Sequence, residues 1–250
     1  MACQSKMASP QKTLRGTGFF HFGKPDLNAY EELERAMSVA RSAAEIDDFL
    51  IVLPEAFNRG SSYDAVSDPR YGASVPQELY TLSGVFGVAF VAGLVVTGIG
   101  PAPGYSSAYF IDGTTSHLIC HKVTRDDSDR NYVPCPLEDA DINNPLCYYA
   151  NASVGALICR DADDENVEKY RFRQHALLEA MRQSPIGVIC IPAFLTRYET
   201  AGLVKGFGSN YVVLANANGL NWRPSAIFFK NALDPSCCGR VNRVEIKQLT

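Results

Sequence analysis

The sequence lacks the features that mark several large classes of protein. Its four histidines are scattered, and none of its eight cysteines has the two-residue spacing that zinc sites favour, so we expect no metal site and no cofactor. The longest apolar stretch, residues 85–96, is interrupted by Gly87 and Gly93 and is too short to span a bilayer. A formal charge of −4 gives no broad electrostatic footprint for nucleic acid or an anionic membrane.

The cysteine content and the first residues bear on the cellular compartment. Residues 1–7 contain no long apolar core, so we expect no signal peptide and a cytoplasmic protein. Eight cysteines would suit a disulfide framework only in a small secreted protein, and we expect most of them to be reduced. The role of the adjacent pair Cys237 and Cys238, either redox-active or incidental, stays open.

Length and composition indicate one globular unit. The chain has 250 residues, of which 46% are apolar and 20% are charged, and this balance is ordinary for a domain with one sizeable core. Residues 1–12 are polar and predict a flexible tail. We therefore expect a single domain over residues 13–250.

Strands and helices are predicted to alternate along the chain. Apolar runs predict strands over residues 14–22, 49–53, 88–98, 107–112, 116–121, 154–158, 187–191 and 211–215. Helical spacing of apolar residues predicts helices over residues 27–44, 78–86 and 165–183. Residues 60–77, which have no clear period, predict a loop over the site. The pattern indicates an α/β or α+β layered domain.

Three polar residues stand at the ends of predicted strands. Glu55 follows the run FLIVLP, Lys122 closes the run SHLICH, and Cys159 follows VGALI. Since α/β folds expose their chemistry at strand ends, we expect this carboxylate, ammonium and thiol to converge. Each residue has an ordinary alternative: Glu55 as a capping or surface acid, Lys122 as a snorkelling surface lysine, and Cys159 as a buried apolar side chain.

Convergence would supply the chemistry of acyl transfer. A thiol is a poor nucleophile until it becomes a thiolate, which a nearby base and an adjacent cation promote. Glu55 would accept the thiol proton, and Lys122 would stabilise the thiolate and the oxyanion that forms on a carbonyl substrate. Alternation along the strand predicts that Leu118, Cys120 and Lys122 share one face, where the lysine needs a counter-charge such as Glu55.

At these positions the sequence resembles the nitrilase superfamily of carbon–nitrogen hydrolases, whose glutamate, lysine and cysteine occur in the same order. The resemblance covers about residues 14–225. It is carried by LIVLPEAF around Glu55, YSSAYFIDGTTSHLICHK ending at Lys122, VGALICRDAD around Cys159, and the later VICIPA and NYVVLANANG. The resemblance implies a four-layer αββα sandwich with the three residues at one end of its sheets.

The resemblance implies a second acidic residue in the site. Members of the superfamily use another glutamate after the lysine to orient the substrate and assist proton transfer. Glu138 is the candidate, because it is the only glutamate between Lys122 and Cys159. Asp127 and Asp129 lie in the same segment and are alternatives.

Three further positions are implied by the same resemblance. The family nucleophile sits on a tight turn from a strand into a helix, so the backbone N–H of Arg160 is expected to donate to the oxyanion. Asn216 and Asn218 are expected to line the pocket, although asparagine before glycine is equally typical of a turn.

The expected activity is hydrolysis of a C–N bond in a small non-peptide amide through a cysteine thioester. One alternative is hydrolysis of a nitrile to the acid by the same three residues. A second is a catalytically silent member that binds a ligand or partner. It is favoured by Arg160, by the acidic run at residues 163–165, which replaces the family's Phe-Pro-Glu-like segment, and by the short C-terminus.

A third alternative is an isochorismatase-like hydrolase, which also uses an acid, a lysine and a cysteine. It is disfavoured because its acid is normally an aspartate near the chain start, whereas Glu55 follows a predicted strand, helix and strand. For partners, we expect a small amide or nitrile substrate and a homodimer or higher homo-oligomer, with no nucleic acid and no membrane.

Overall fold

The computed structural model describes the parts of the chain that carry most of the predicted strands. These are residues 13–21, 29–59, 74–96, 105–113, 115–122, 146–149, 151–162, 186–193, 211–216, 225–229, 232–233 and 243–249. They include helices α1 (Ala29–Ala43) and α2 (Gln77–Phe86). The strands are β1 (Gly16–His21), β2 (Phe49–Leu53), β3 (Ala89–Val96), β4 (Tyr105–Asp112), β5 (Thr115–His121), β6 (Leu146–Tyr149), β7 (Ala152–Ala156), β8 (Ile186–Ala193), β9 (Tyr211–Asn216), β10 (Ala226–Phe229), β11 (Ala232–Leu233) and β12 (Arg243–Gln248).

The strands form two six-stranded sheets, with the order β12-β1-β2-β3-β4-β5 in the first and β11-β10-β9-β8-β7-β6 in the second. In the first sheet β1, β2 and β3 are parallel, and β4 runs antiparallel to both β3 and β5. In the second sheet β7, β8 and β9 are parallel, with β6 and β10 antiparallel beside them. Each sheet therefore directs several strand carboxyl ends to one edge.

Side chains of the first sheet alternate between two cores, as the two-residue period of a strand requires. Leu50 and Val52 of β2 lie in the core that this sheet shares with the second sheet, whereas Ile51 and Leu53 lie in the core under the helices. The helices contribute their apolar stripes to the second of these cores, and α2 ends where Gly87 adopts a left-handed φ of 66°. This alternation explains why β2 is apolar on both faces.

The inner faces of the two sheets pack directly on each other. One continuous apolar cluster includes residues of both sheets, and the rings of Phe110 in β4 and Tyr149 in β6 lie 5.3 Å apart between centroids. The Leu14 N–H donates across the same interface to the Asn151 side chain at 3.1 Å. The layered α/β prediction is confirmed. The predicted helix over residues 165–183 lies outside the described residues.

One prediction about β5 is wrong. Simple alternation would put Leu118, Cys120 and Lys122 on the same face, but the pairing register of β4 and β5 shifts between Ala108 and Tyr109. The bulge lets Ile119 and Cys120 enter the same core, and it leaves Leu118 44% exposed. β5 is therefore mostly exposed before the bulge, and the chain becomes buried toward Lys122 only from Ile119 onward.

The other described elements compare closely with the predicted ones. The predicted first strand, first two helices and strands before Glu55 and Lys122 are all present, whereas β7 ends two residues before the predicted Ile158. β6, β10, β11 and β12 were not predicted. Residues 1–12 and 60–73 lie outside the described residues, so the tail, the loop and the single domain over residues 13–250 stay predictions. No helix in the described part of the chain is long and apolar enough to cross a membrane.

Candidate active site

Strand carboxyl ends from both sheets meet at one end of the molecule. In the first sheet β2 leads into Glu55 and β5 into Lys122, and in the second sheet β7 leads toward Cys159 while β9 ends at Asn216. The Glu55 N–H joins the two edges, because it donates to the Ala193 carbonyl at the end of β8 at 3.4 Å. The positions predicted from sequence therefore lie along a shared edge.

Glu55 and Lys122 form a buried ion pair. Lys122 Nζ lies 2.9 Å from Glu55 Oε1, and each side chain is 2% exposed. Burial removes on the order of several kcal/mol of hydration from each ion, so neither charge is stable there without the other. The surface acid and the snorkelling lysine, which the sequence left open, are thus wrong.

Ser106, near the start of β4, contacts both members of the pair. Its hydroxyl donates to Glu55 Oε1 at 3.0 Å, and its carbonyl accepts the Lys122 N–H at 2.8 Å. Ser106 is itself buried. Glu55 Oε1 thus accepts two hydrogen bonds from enclosed donors, which fixes the orientation of the carboxylate.

A close approach of β3 holds the backbone at Glu55. A Cβ atom at Gly93 would lie 2.6 Å from Glu55 Cα, 2.8 Å from Pro192 Cβ and 2.9 Å from the Pro54 carbonyl oxygen. Such distances are shorter than real Cβ contacts, so a side chain at this position would push the end of β2 away from β8. The absence of a side chain at residue 93 therefore helps to place the carboxylate.

The turn after Glu55 is attached to β3 by an amide side chain. Ala56 adopts a left-handed φ of 54°, which is uncommon for a residue other than glycine. The Asn58 amide donates to the Val95 carbonyl at 2.8 Å and accepts the Val95 N–H at 2.9 Å. This two-point contact pairs both backbone groups of Val95 and keeps the strained turn in one position.

Cys159 begins a short 3₁₀ turn at Cys159–Ala162, and its own φ is 51°. The Leu157 N–H donates to the Cys190 carbonyl at 3.0 Å, so the chain stays attached to β8 until just before the thiol. The Asp161 N–H then donates to the Ile158 carbonyl at 2.9 Å and closes the turn. Left-handed backbone of this kind occurs often at active sites, and it matches the tight turn expected for the nucleophile.

A contact between the two sheets brings the strand before Cys159 next to the strand before Lys122. Cys120 Sγ donates to the Ala156 carbonyl at 3.4 Å and links β5 to β7. Lys122 follows Cys120 by two positions, and Cys159 follows Ala156 by three. Since both strands leave the sheets at the same edge, Lys122 and Cys159 emerge from neighbouring strands.

A second polar group lies at this edge, around Ser225 at the start of β10. Ser225 Oγ accepts the Asn216 N–H at 2.9 Å and lies 3.1 Å from His21 Nδ1 at the end of β1. All three residues are buried, and burial lowers the pKa of His21 from its ordinary value. The group joins the first sheet to the second and holds the end of β9.

The remaining predicted residues differ in what the structure describes. Arg160 lies in the 3₁₀ turn directly after Cys159, and only its backbone is described. The segment with Glu138 lies outside the described residues, and so do its alternatives, Asp127 and Asp129. Asn218 lies outside them too. Among the described residues, no group of His, Cys, Asp or Glu side chains could hold a metal ion.

Sequence reasoning missed three residues that hold Glu55 in place, namely Ser106, Asn58 and Gly93. A signal existed only for Gly93, because a glycine inside an apolar strand indicates close backbone approach. Ser106 and Asn58 carry no such local signal, since their contacts join segments distant in sequence.

Comparisons with known proteins identify the fold. No protein-family model and no curated protein matches the sequence, whereas 112 solved chains match the structure. One is a C-to-A mutant of an amidase of the nitrilase superfamily from Nesterenkonia sp. AN1, with 14% identity, coverage of 96% of this chain and 92% of that chain, and a TM-score of 0.64. Another is a double mutant of the Nesterenkonia sp. AN1 amidase in complex with acrylamide, with 14% identity, coverage of 98% and 94%, and a TM-score of 0.66.

A third structure shows the Nesterenkonia amidase after covalent addition of the acetamide moiety of fluoroacetamide at its active-site cysteine. It has 14% identity, coverage of 97% of this chain and 93% of that chain, and a TM-score of 0.63. The chain therefore has the fold of nitrilase-superfamily amidases, and the predicted nitrilase-like αββα fold class is confirmed.

Proposed function

We propose that this chain, with the fold of nitrilase-superfamily amidases, is a carbon–nitrogen hydrolase of the amidase type. The observation that carries the proposal is the buried Glu55–Lys122 ion pair, at the same strand edge as the strained turn of Cys159. A buried ion pair contributes little to stability compared with apolar residues of the same volume. A catalytic role accounts for its presence at this edge.

In the proposed reaction Cys159 is the nucleophile and Glu55 is the general base. Glu55 accepts the thiol proton as sulfur attacks the amide carbonyl, and a C–S bond forms while the carbonyl π pair moves to oxygen. Lys122 and the Arg160 backbone N–H stabilise this oxyanion. When the tetrahedral intermediate collapses, the C–N bond breaks, Glu55 returns the proton to the leaving amine, and a thioester remains.

Water completes the reaction in a second half. Glu55 accepts a proton from water as the water oxygen attacks the thioester carbonyl and forms a second tetrahedral intermediate. Collapse of this intermediate breaks the C–S bond, and Glu55 returns the proton to sulfur, so that the acid and the thiol are released. The amine leaves before water attacks, so ping-pong kinetics are expected. Because Lys122 is enclosed, its charge acts in surroundings of low dielectric, where it stabilises an oxyanion more strongly than in water.

The proposed substrate is a small amide. The Nesterenkonia amidase structures contain acrylamide or the acetamide moiety of fluoroacetamide, and both are compact molecules. From the resemblance we further propose that Glu138 orients the substrate, that Asn216 lines the pocket, and that the chain assembles as a homodimer. From its length, composition and cysteine content we propose that residues 13–250 form one cytoplasmic domain. Light scattering of the purified protein tests assembly, and a strict monomer at high concentration would refute the dimer.

The decisive experiment pairs covalent labelling with turnover. Fluoroacetamide and iodoacetamide are added to wild type, Cys159→Ala and Cys190→Ala, and intact mass is followed as a function of pH. Cys190 in β8 is also a buried cysteine that forms no disulfide, so it is the matched control thiol. We expect one rapid addition in wild type and in Cys190→Ala, and none in Cys159→Ala.

Turnover of a panel of small amides is measured on the same proteins. Cys159→Ala should abolish it, and Glu55→Gln should lower kcat by about 10²–10⁴-fold, the contribution of a general base. Full turnover by Cys159→Ala would refute the assignment. Slow labelling spread over several cysteines, with no turnover, would favour the catalytically silent alternative.

A further inference from the structure

The hydroxyl of Ser106 contacts the proposed general base directly. Ser106 Oγ lies 3.0 Å from Glu55 Oε1, the same oxygen that accepts the Lys122 ammonium at 2.9 Å. An ammonium alone does not fix the orientation of a carboxylate, because its three donors rotate freely. A second donor, fixed on a strand, restricts the carboxylate to one orientation.

The surroundings of this bond make it strong. Ser106 is 1% exposed and Glu55 is 3% exposed. A hydrogen bond to a carboxylate is stronger in such low-dielectric surroundings than in water. In the proposed mechanism Glu55 accepts a proton from the thiol and returns it to the leaving amine, so its carboxylate must face the reacting atoms in both steps. A fixed donor that holds the orientation of the carboxylate therefore affects both steps.

The adjacent serine has a different environment. Ser107 is also buried, but its hydroxyl lies 2.7 Å from His121 Nδ1, because successive side chains of β4 point to opposite faces. The two serines thus share a strand, a size and a degree of burial. They differ in whether the hydroxyl reaches Glu55, so Ser107 is a matched control.

We infer that Ser106 is a positioning residue, whose hydroxyl holds the Glu55 carboxylate in the orientation that proton transfer requires. This inference rests on the proposed function and adds to it a side chain that the three-residue description lacks. The Ser106 carbonyl also accepts the Lys122 N–H. That backbone contact survives any side-chain substitution, so a variant at this position isolates the role of the hydroxyl.

The test compares Ser106→Ala with Ser107→Ala in turnover of a small amide. Ser106→Ala should lower kcat about tenfold with KM unchanged, the scale of one hydrogen bond to a charged group. An unchanged KM with a lower kcat shows that the hydroxyl acts on the chemical step and not on substrate binding. Ser107→Ala should keep the wild-type kcat and KM.

Two further variants separate the hydroxyl from packing. Ser106→Cys keeps nearly the same volume but replaces the hydroxyl by a weak donor, so it should behave like Ser106→Ala even where the alanine variant folds poorly. Ser106→Thr keeps the hydroxyl and should restore kcat. Thermal unfolding of each variant verifies that it is folded.

The outcomes distinguish this inference from the proposed function. A wild-type kcat in folded Ser106→Ala or Ser106→Cys would overturn the role of Ser106 and leave the proposed function intact. Impairment of folded Ser106→Thr to the level of Ser106→Ala would overturn it too, because packing would then explain the loss. A wild-type chain that turns over no amide and is not labelled at Cys159 would overturn both.

Discussion

Two ion pairs of the first sheet have similar geometry and opposite surroundings. Lys122 Nζ and Glu55 Oε1 lie 2.9 Å apart with both side chains 2% exposed, whereas Arg15 Nη2 and Glu45 Oε2 lie 3.1 Å apart with exposures of 45% and 79%. The exposed pair is screened by solvent and contributes at most about 1 kcal/mol to stability. The buried pair is surrounded by fixed contacts from Ser106 and the β3 backbone.

The distance between two ions does not by itself give the role of an ion pair. At the surface each ion retains its water, so the loss of one partner changes little. In the interior each ion depends on the other, since an uncompensated buried charge is strongly destabilising. A buried pair is therefore evidence of a constraint other than stability, and here that constraint is the proposed chemistry.

The largest effect is expected when the buried pair is broken. Lys122→Met leaves the Glu55 carboxylate enclosed without its cation, so the free energy of unfolding at neutral pH should fall by about 3–5 kcal/mol and turnover should disappear. The double variant Glu55→Gln with Lys122→Met should recover stability but not turnover. Urea denaturation beside an amide assay tests both statements. A Lys122→Met variant that is as stable as wild type would refute the burial of the ion pair.

A smaller effect is expected when the backbone beside the pair is displaced. Gly93→Ala places a Cβ atom 2.6 Å from Glu55 Cα, so it should destabilise the protein by about 1–3 kcal/mol and lower kcat. Gly84→Ala is the matched control, because a Cβ atom at Gly84 in α2 meets nothing within 4 Å. That variant should keep kcat and gain up to about 1 kcal/mol of stability. Equal effects of the two variants in both assays would contradict the close approach.

The pH dependence of stability tests another buried ionisable residue, His21. Burial lowers the pKa of His21, so the unfolded chain binds more protons than the folded chain as pH falls below the ordinary histidine range. The contribution of neutral His21 is complete above the unfolded pKa of about 6.5 and is lost as pH falls through its folded pKa. His21→Asn should flatten this part of the curve. Thermal unfolding of wild type and variant at closely spaced pH values measures the difference, and identical curves for the two proteins would oppose the assignment.

The smallest effect is expected at the exposed pair. Glu45→Gln removes the partner of Arg15 and should change the free energy of unfolding by only about 0.5 kcal/mol, with turnover unchanged. The change should shrink further in high salt because the pair is exposed. Chemical denaturation at two salt concentrations provides the measurement. A loss comparable with that of Lys122→Met would remove the distinction between the two pairs.

Much of the fold could be predicted because its strands are apolar and its helices are regularly patterned. β2 is buried on both faces and reads as a continuous apolar run, so the residue that follows it was recognised. β6 and β10 have four residues each and β11 has two, which is too short for a clear period. The bulge beside Cys120 was missed because an irregular register depends on the partner strand and not on β5 alone.

The residues of the candidate site also differ in whether a local sequence pattern predicts them. Glu55, Lys122 and Cys159 could be proposed as site residues because each follows an apolar run, and the order of these runs resembles a known family. Ser106 could not, because its hydroxyl meets a carboxylate 51 positions earlier in the chain, and no local pattern encodes that meeting. Contacts of this kind arise only when the strand ends are assembled.

The bonds that close the site edge also set the order in which a newly made chain acquires it. Glu55 and Lys122 are 67 positions apart, whereas His21 and Ser225 are 204 positions apart. During synthesis the residues of the ion pair leave the ribosome first, the thiol follows, and Ser225 leaves after all of them. Contacts between residues so far apart in sequence form slowly, so the complete edge assembles late in folding. A nascent chain would therefore carry Cys159 before the edge around it is complete.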